Sequence, residues 1–228
     1  MSDRSHYRLI ASLFEYPDAQ FPEKVTAIRN LLNTSYPSAA KKLDQFIDHL
    51  PVHDLLLMQE LFTRSFDVQA IATLDLGYVL FGDDYKRGEM LSNLNREHLE
   101  AGNDCGTELA DHLPNILRLM SLLRDEELIT DLAYAIIAPA LMEMLGEFDP
   151  DRLQKKNESY EKHYKTLIET PAVKDEAVTL YKFALQSLYE VLKKDFSLIE
   201  EMPLKRDVSD FLISVVEENE IEQGAEAQ

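Results

Sequence analysis

The chain has 228 residues, 45% of them apolar, and 42 acidic side chains against 23 basic ones give it a formal net charge of −19. That apolar content supplies a substantial core and excludes a wholly disordered chain. The negative field repels nucleic acid and anionic membrane and favours basic partners, beyond what it contributes to solubility.

Only 7 glycines are present, and none follows Asn or Asp, which argues against a strand-rich sandwich or barrel. The single Cys105 rules out an internal disulfide and a cysteine-cluster metal site. Residues 1–13 are charged and lack a signal-peptide core. The longest apolar run, residues 132–142, is too short to span a bilayer and fits a buried helix. A cytoplasmic protein without membrane insertion is the expectation.

Residues 6–14 can form a first short helix, closed by Tyr16-Pro17. Pro22 suits a first helical turn, and Val25, Ile28, Leu31 and Leu32 then share one face. Tyr36-Pro37 restarts the chain, and Ala39, Leu43, Phe46, Ile47 and Leu50 keep helical spacing up to Pro51. Residues 53–66 read as a third strong helix, with Leu57, Met58, Leu61, Phe62 and Phe66 inward. Residues 67–78 fit neither period and read as a mostly helical or irregular passage into Gly82.

Gly82 takes positive φ cheaply, and Asp83-Asp84 offers a side-chain oxygen to the free N–H groups of a helix over residues 85–101, with Gly102 as its C-cap. Residues 103–107 form a loop. Leu109, Leu113, Ile116, Leu117, Met120 and Leu123 define the next amphipathic helix, and Asp125-Glu126-Glu127 charge the start of another. Its apolar stripe runs to Phe148, and Pro139 within it predicts a kink near Ala135.

Residues 152–168 read as a polar outer helix. Val173, Ala177, Leu180, Ala184, Leu188 and Val191 mark the last long one, and residues 196–216 can add a short one. Residues 217–228, with five glutamates, are expected to form an acidic disordered tail. The fold class is therefore all-α: one globular domain over residues 1–216, of about eight to ten helices.

The sequence contains no phosphate-binding glycine loop, no HExxH and no GxSxG. Pro51 lies between His49 and His53 and spoils their metal-ligand spacing. Cys105 lacks an activating base, and its acidic neighbours raise its pKa. Asp111 and His112 diverge by about 100° on a helix and make a poor catalytic dyad. No catalytic residue and no metal ligand is assigned. Glu108 and Asp111 suit either helix capping or a binding role. Gly88 in mid-helix suggests close helix–helix approach, with Arg87 paired to a carboxylate.

Three segments carry a resemblance: Phe66-Asp67, then Gly82-Asp83-x-x-Lys86-Arg87-Gly88-Glu89-x-Leu91, then Glu108-Leu109-x-Asp111-His112-Leu113-Pro114. In this order they resemble the redox-enzyme maturation chaperones, which include the nitrate reductase delta subunit (NarJ-type) and the TorD/DmsD-type proteins. Asp111-His112 is similar to one branch and Leu113-Pro114 to the other. Two departures are Ala110, where the nitrate reductase branch has Pro, and Arg118, where a Glu is usual.

The resemblance implies an all-helical cytoplasmic chaperone, not an enzyme. Such a protein binds the basic N-terminal segment of the apo catalytic subunit of a molybdenum oxidoreductase. It binds no cofactor stably itself; the client receives molybdenum bis-molybdopterin guanine dinucleotide. The motif positions imply Glu108, Asp111 and His112 as client-peptide-binding residues, and Asp83, Arg87, Gly88 and Pro114 as groove-shaping ones. Met90, Met120, Met142 and Met144 are available as groove walls or core filling. A monomer or weak homodimer is expected. Two other readings stand beside it: a general helical adaptor for another amphipathic peptide, and a nucleotide hydrolase, which the missing phosphate loop argues against.

Overall fold

A computed structural model describes residues 3–163 and 179–198, and among these the fold is all-α, with ten helices and no strand. The first helix, α1 (Ser5–Ala11), runs into a 3-10 turn at Ser12–Phe14. Two helices in mutual contact follow, α2 (Phe21–Ser35) and α3 (Pro37–His49), each with a proline in its first turn, where a missing N–H costs no hydrogen bond. Then come α4 (Leu55–Phe66), the short α5 (Leu76–Phe81) and α6 (Tyr85–Ala101). Next are α7 (Leu113–Leu122) and the long α8 (Glu126–Glu147). The described part ends with α9 (Pro150–His163) and α10 (Tyr181–Phe196).

Aspartates start three of these helices. Asp54 accepts from Leu57 N, Asp84 from Lys86 N, and Asp125 from Glu127 N and Leu128 N, each satisfying donors that a helix start leaves open. Asp84, not Asp83, caps α6. Gly82 sits at φ +62°, ψ −137°, a region essentially closed to residues with a Cβ, and Gly102 takes the left-handed C-cap at φ +66°.

The expected kink in α8 takes the form of a π-helical turn at Leu132–Ile137, immediately before Pro139. Proline cannot donate to the carbonyl four residues back, and the wider turn absorbs the mismatch. α8 is long and apolar enough to cross a membrane by length and composition. Here it packs inside the fold against α5 and α10, with half of its most apolar stretch buried.

The core has two lines of packing. α3 lies along α10 and α2, and α1 lies along α7. A chain of edge-to-face rings threads it. Phe21 meets Phe46 at 6.3 Å, Phe46 meets Tyr181 at 5.2 Å, Tyr181 meets Phe66 at 5.0 Å, and Phe66 meets Phe14 at 6.4 Å. Met90, Met120 and Met144 are buried within this core, while Met142 is exposed.

α1 is also clasped to the end of α10. The Asp195 carboxylate receives His6 Nε2 at 2.8 Å, Tyr7 Oη at 2.8 Å and Tyr36 Oη at 2.7 Å. Burial opposes its charge, but these three bonds hold it below the usual carboxylate range. The sequence assignments at Val173 and Ala177, beyond residue 198 and in the acidic tail 217–228 lie outside the described residues.

Candidate functional site

The site is built where two irregular segments cross. Leu76 N donates to Asp111 O at 3.0 Å and Leu113 N to Leu74 O at 2.8 Å, so residues 74–76 and 111–113 pair antiparallel for one bridge, Asp75 opposite His112. In this kind of pair the facing side chains stand close together. His112 Nδ1 meets Asp75 Oδ1 at 3.0 Å. The charged partner fixes the tautomer: Nδ1 carries a proton and donates to the carboxylate.

Arg87, from the first turn of α6, ties this pair to the interior. Its Nη2 donates to Asp75 Oδ2 at 3.1 Å and its Nε to Asp111 Oδ2 at 3.0 Å. The guanidinium also lies over the Tyr78 ring, 5.4 Å from its centroid. Burial works against the Arg87 charge, but the two carboxylates outweigh it and push its pKa up. The His112 bond lowers the pKa of Asp75 against the opposing effect of burial, and Arg87 adds to that lowering.

The Asp111 side chain is 0% exposed, and its Oδ1 finds no hydrogen bond. Gly77 makes room for it. A Cβ there would run into Met90 Cε and would stand 2.7 Å from Asp111 Oδ2 and 3.1 Å from Arg87 Cγ.

Beside this network opens a pocket of about 610 Å³. Its wall is aromatic and apolar, with Phe14, Tyr16, Phe62, Phe66, Leu74 and Pro114. Around it stand the carboxylates of Glu15, Asp67, Asp75 and Glu108, with His112 and Arg118. Tyr16 meets Phe62 edge to face at 5.6 Å, and Phe62 meets Phe66 at 5.4 Å. Asp67 and Glu108 are exposed, and their carboxylates have no hydrogen-bond or ion-pair partner among the described residues. Such a surface suits a ligand with an apolar face and basic groups.

The loop between α6 and α7 is fixed from below. Buried His98 places Nε2 3.0 Å from Ala110 O and Nδ1 2.8 Å from Asn103 Nδ2, and that amide also donates to Asn115 O. The carbonyl requires Nε2–H and the amide requires a bare Nδ1, so this ring is neutral; burial lowers its pKa accordingly. The Asn115 amide donates to Leu109 O at 2.8 Å and Cys105 O at 3.3 Å. Burial raises the pKa of the Cys105 thiol, more than its Asp104 neighbour does.

The two sequence motifs therefore meet in space, through Arg87 and Asp111. Glu108, His112 and Pro114 border the pocket. Asp111 does not lie at the surface: it is an interior anchor for Arg87, and it caps no helix. His112 is the N-cap residue of α7 but makes no side-chain cap bond.

Gly88 is also corrected. Nothing lies within 4 Å of a Cβ placed there, and the close approach belongs to Gly77 instead. Asp83 is exposed and outside the pocket. Asp75 lies in a stretch without periodicity, and its one local signal is that in Asp75-Leu76-Gly77 a carboxylate precedes a glycine within apolar residues. Among the described residues no group of three or more His, Cys, Asp or Glu side chains gathers to hold a metal ion.

No family model matches the chain, and no curated protein matches it either.

Proposed function

We propose that the chain is a cytoplasmic maturation chaperone for a molybdenum oxidoreductase, and that the pocket receives the basic, amphipathic N-terminal segment of the apo catalytic subunit. The observation that carries this reading is the pocket's composition. An aromatic wall stands beside unpartnered Asp67 and Glu108, and the edge is formed by Glu108, His112 and Pro114 of the motif that resembles the chaperone family. The net charge of −19 draws a basic segment toward the surface, and the wall takes up its apolar face.

Physically, such binding keeps an apolar client segment covered while the client's cofactor site stays open. Molybdenum bis-molybdopterin guanine dinucleotide is then inserted into the client, not into the chaperone. Asp75 and His112, held by Arg87 and Asp111, give the pocket a fixed edge, so little ordering cost falls on binding.

The test is affinity capture from the native cytoplasm with identification of the bound proteins. Recovery of a molybdenum-oxidoreductase catalytic subunit without its cofactor, reduced by Glu108→Gln with Asp67→Asn, is the expected result. Its absence from cells that express such a subunit rejects the reading in favour of a general adaptor for amphipathic peptides.

A further inference from the structure

The pocket already contains a cation of its own. Arg118, on α7, points one arm of its guanidinium at Glu15 and the other at Asn115 Oδ1. Asn115 is fully buried, and its amide nitrogen is committed to the carbonyls of Leu109 and Cys105, so its oxygen is held facing Arg118. The Arg118 side chain is 25% exposed and Glu15, just after the 3-10 turn, 44% exposed. Of the four pocket carboxylates, Arg118 engages Glu15, while Arg87 and His112 engage Asp75. Only Asp67 and Glu108 remain without a partner among the described residues.

We propose that Arg118 is a specificity-determining residue of this pocket: it withholds Glu15 from the ligand and keeps a positive charge inside the site. The pocket is thereby restricted to segments whose basic groups reach Asp67 and Glu108. The inference rests on the pocket being a site for basic peptides. A fixed charge of the same sign as the ligand lowers affinity through direct repulsion and through the loss of a free carboxylate, both partly screened at a half-exposed position.

The experiment is binding of a fluorescently labelled amphipathic helical peptide bearing Lys and Arg, measured by anisotropy from low salt to about 0.5 M NaCl. It compares the wild-type protein with Arg118→Gln, Glu15→Gln and the double variant. Arg118→Gln frees Glu15 and removes the internal cation, so it should bind roughly fivefold more tightly with a steeper salt dependence. Glu15→Gln leaves Arg118 in the pocket without its counter-ion and should bind roughly fivefold more weakly. The double variant should return close to wild type.

A residue that only clamps α7 to the turn would weaken binding in both single variants, and binding by Arg118→Gln equal to or weaker than wild type overturns the proposal. Should Arg118→Gln not fold, unchanged binding by Glu15→Gln overturns it alone. A wild-type protein that binds no basic peptide fails earlier, on the function of the pocket itself.

Discussion

Arg87 reaches Asp111 at 3.0 Å across 24 residues of sequence, and Asp111 has no solvent contact. A carboxylate in that position is tolerable only with its cation in place. Arg87→Ala should therefore cost about 3 kcal/mol or more, read from urea unfolding midpoints, because it leaves the buried charge alone. Asp111→Ala should cost less, about 1–3 kcal/mol, because Arg87 keeps Asp75 as its partner. Glu108→Ala, on the exposed rim, should stay within about 0.5 kcal/mol of wild type. Loss of stability at Asp111 with loss of peptide binding at Glu108 separates the interior anchor from the contact surface.

Gly77 and Gly88 should respond in opposite directions. Gly77→Ala places a methyl against Met90, Asp111 and Arg87, and should destabilise by about 1–3 kcal/mol. Gly88→Ala meets open space within α6 and should stabilise by up to about 1 kcal/mol, since it removes helix-disfavouring backbone freedom. Thermal unfolding of the two variants checks both signs.

His98 should make stability fall below neutral pH. In the unfolded chain it titrates near 6.5, and burial lowers that value in the fold. Between the two values the unfolded state binds more protons, so stability drops as pH falls below about 6.5. The depressed carboxylates Asp75 and Asp195 act in a separate window: their contribution is complete above the unfolded value of 3.8 and is lost as pH falls below it. Urea unfolding at pH 7.5 and 5.5 should show the first step in wild type and not in His98→Gln.

Tyr16 tests the aromatic wall. It is 58% exposed, and its ring meets Phe62 edge to face. Tyr16→Ala should weaken binding of an amphipathic basic peptide by about tenfold, an aromatic contact of ordinary size, with little change in melting temperature. Unchanged affinity would remove the wall from the binding surface.

Helix α6 and its caps were legible in the sequence because their determinants are local. Gly82, Asp84 and Gly102 specify turn, start and stop within one segment of chain, and the structure places the helix at the anticipated residues. The same holds for the prolines that open α2 and α3 and for the distortion before Pro139, whereas α7 begins at Leu113 and leaves Leu109, expected on its apolar face, exposed in the loop before it. The periodic apolar stripes of these helices require burial against one another, so the all-α class followed from their spacing.

The candidate site was only half legible. The motif residues Arg87, Glu108, His112 and Pro114 could be picked out, but not their division of labour. Asp75 sits in a segment without periodicity, and its meeting with His112 depends on a bridge between residues 37 apart. Asp111 reads in sequence as a surface carboxylate at a helix entry, and only the packing of α5 beside it, made possible by Gly77, buries it against Arg87. Periodicity and capping act within a turn or two of chain and fix the helices. The pairing of charges and the shape of the pocket depend on which distant segments share a dry contact, and that is set by tertiary packing alone.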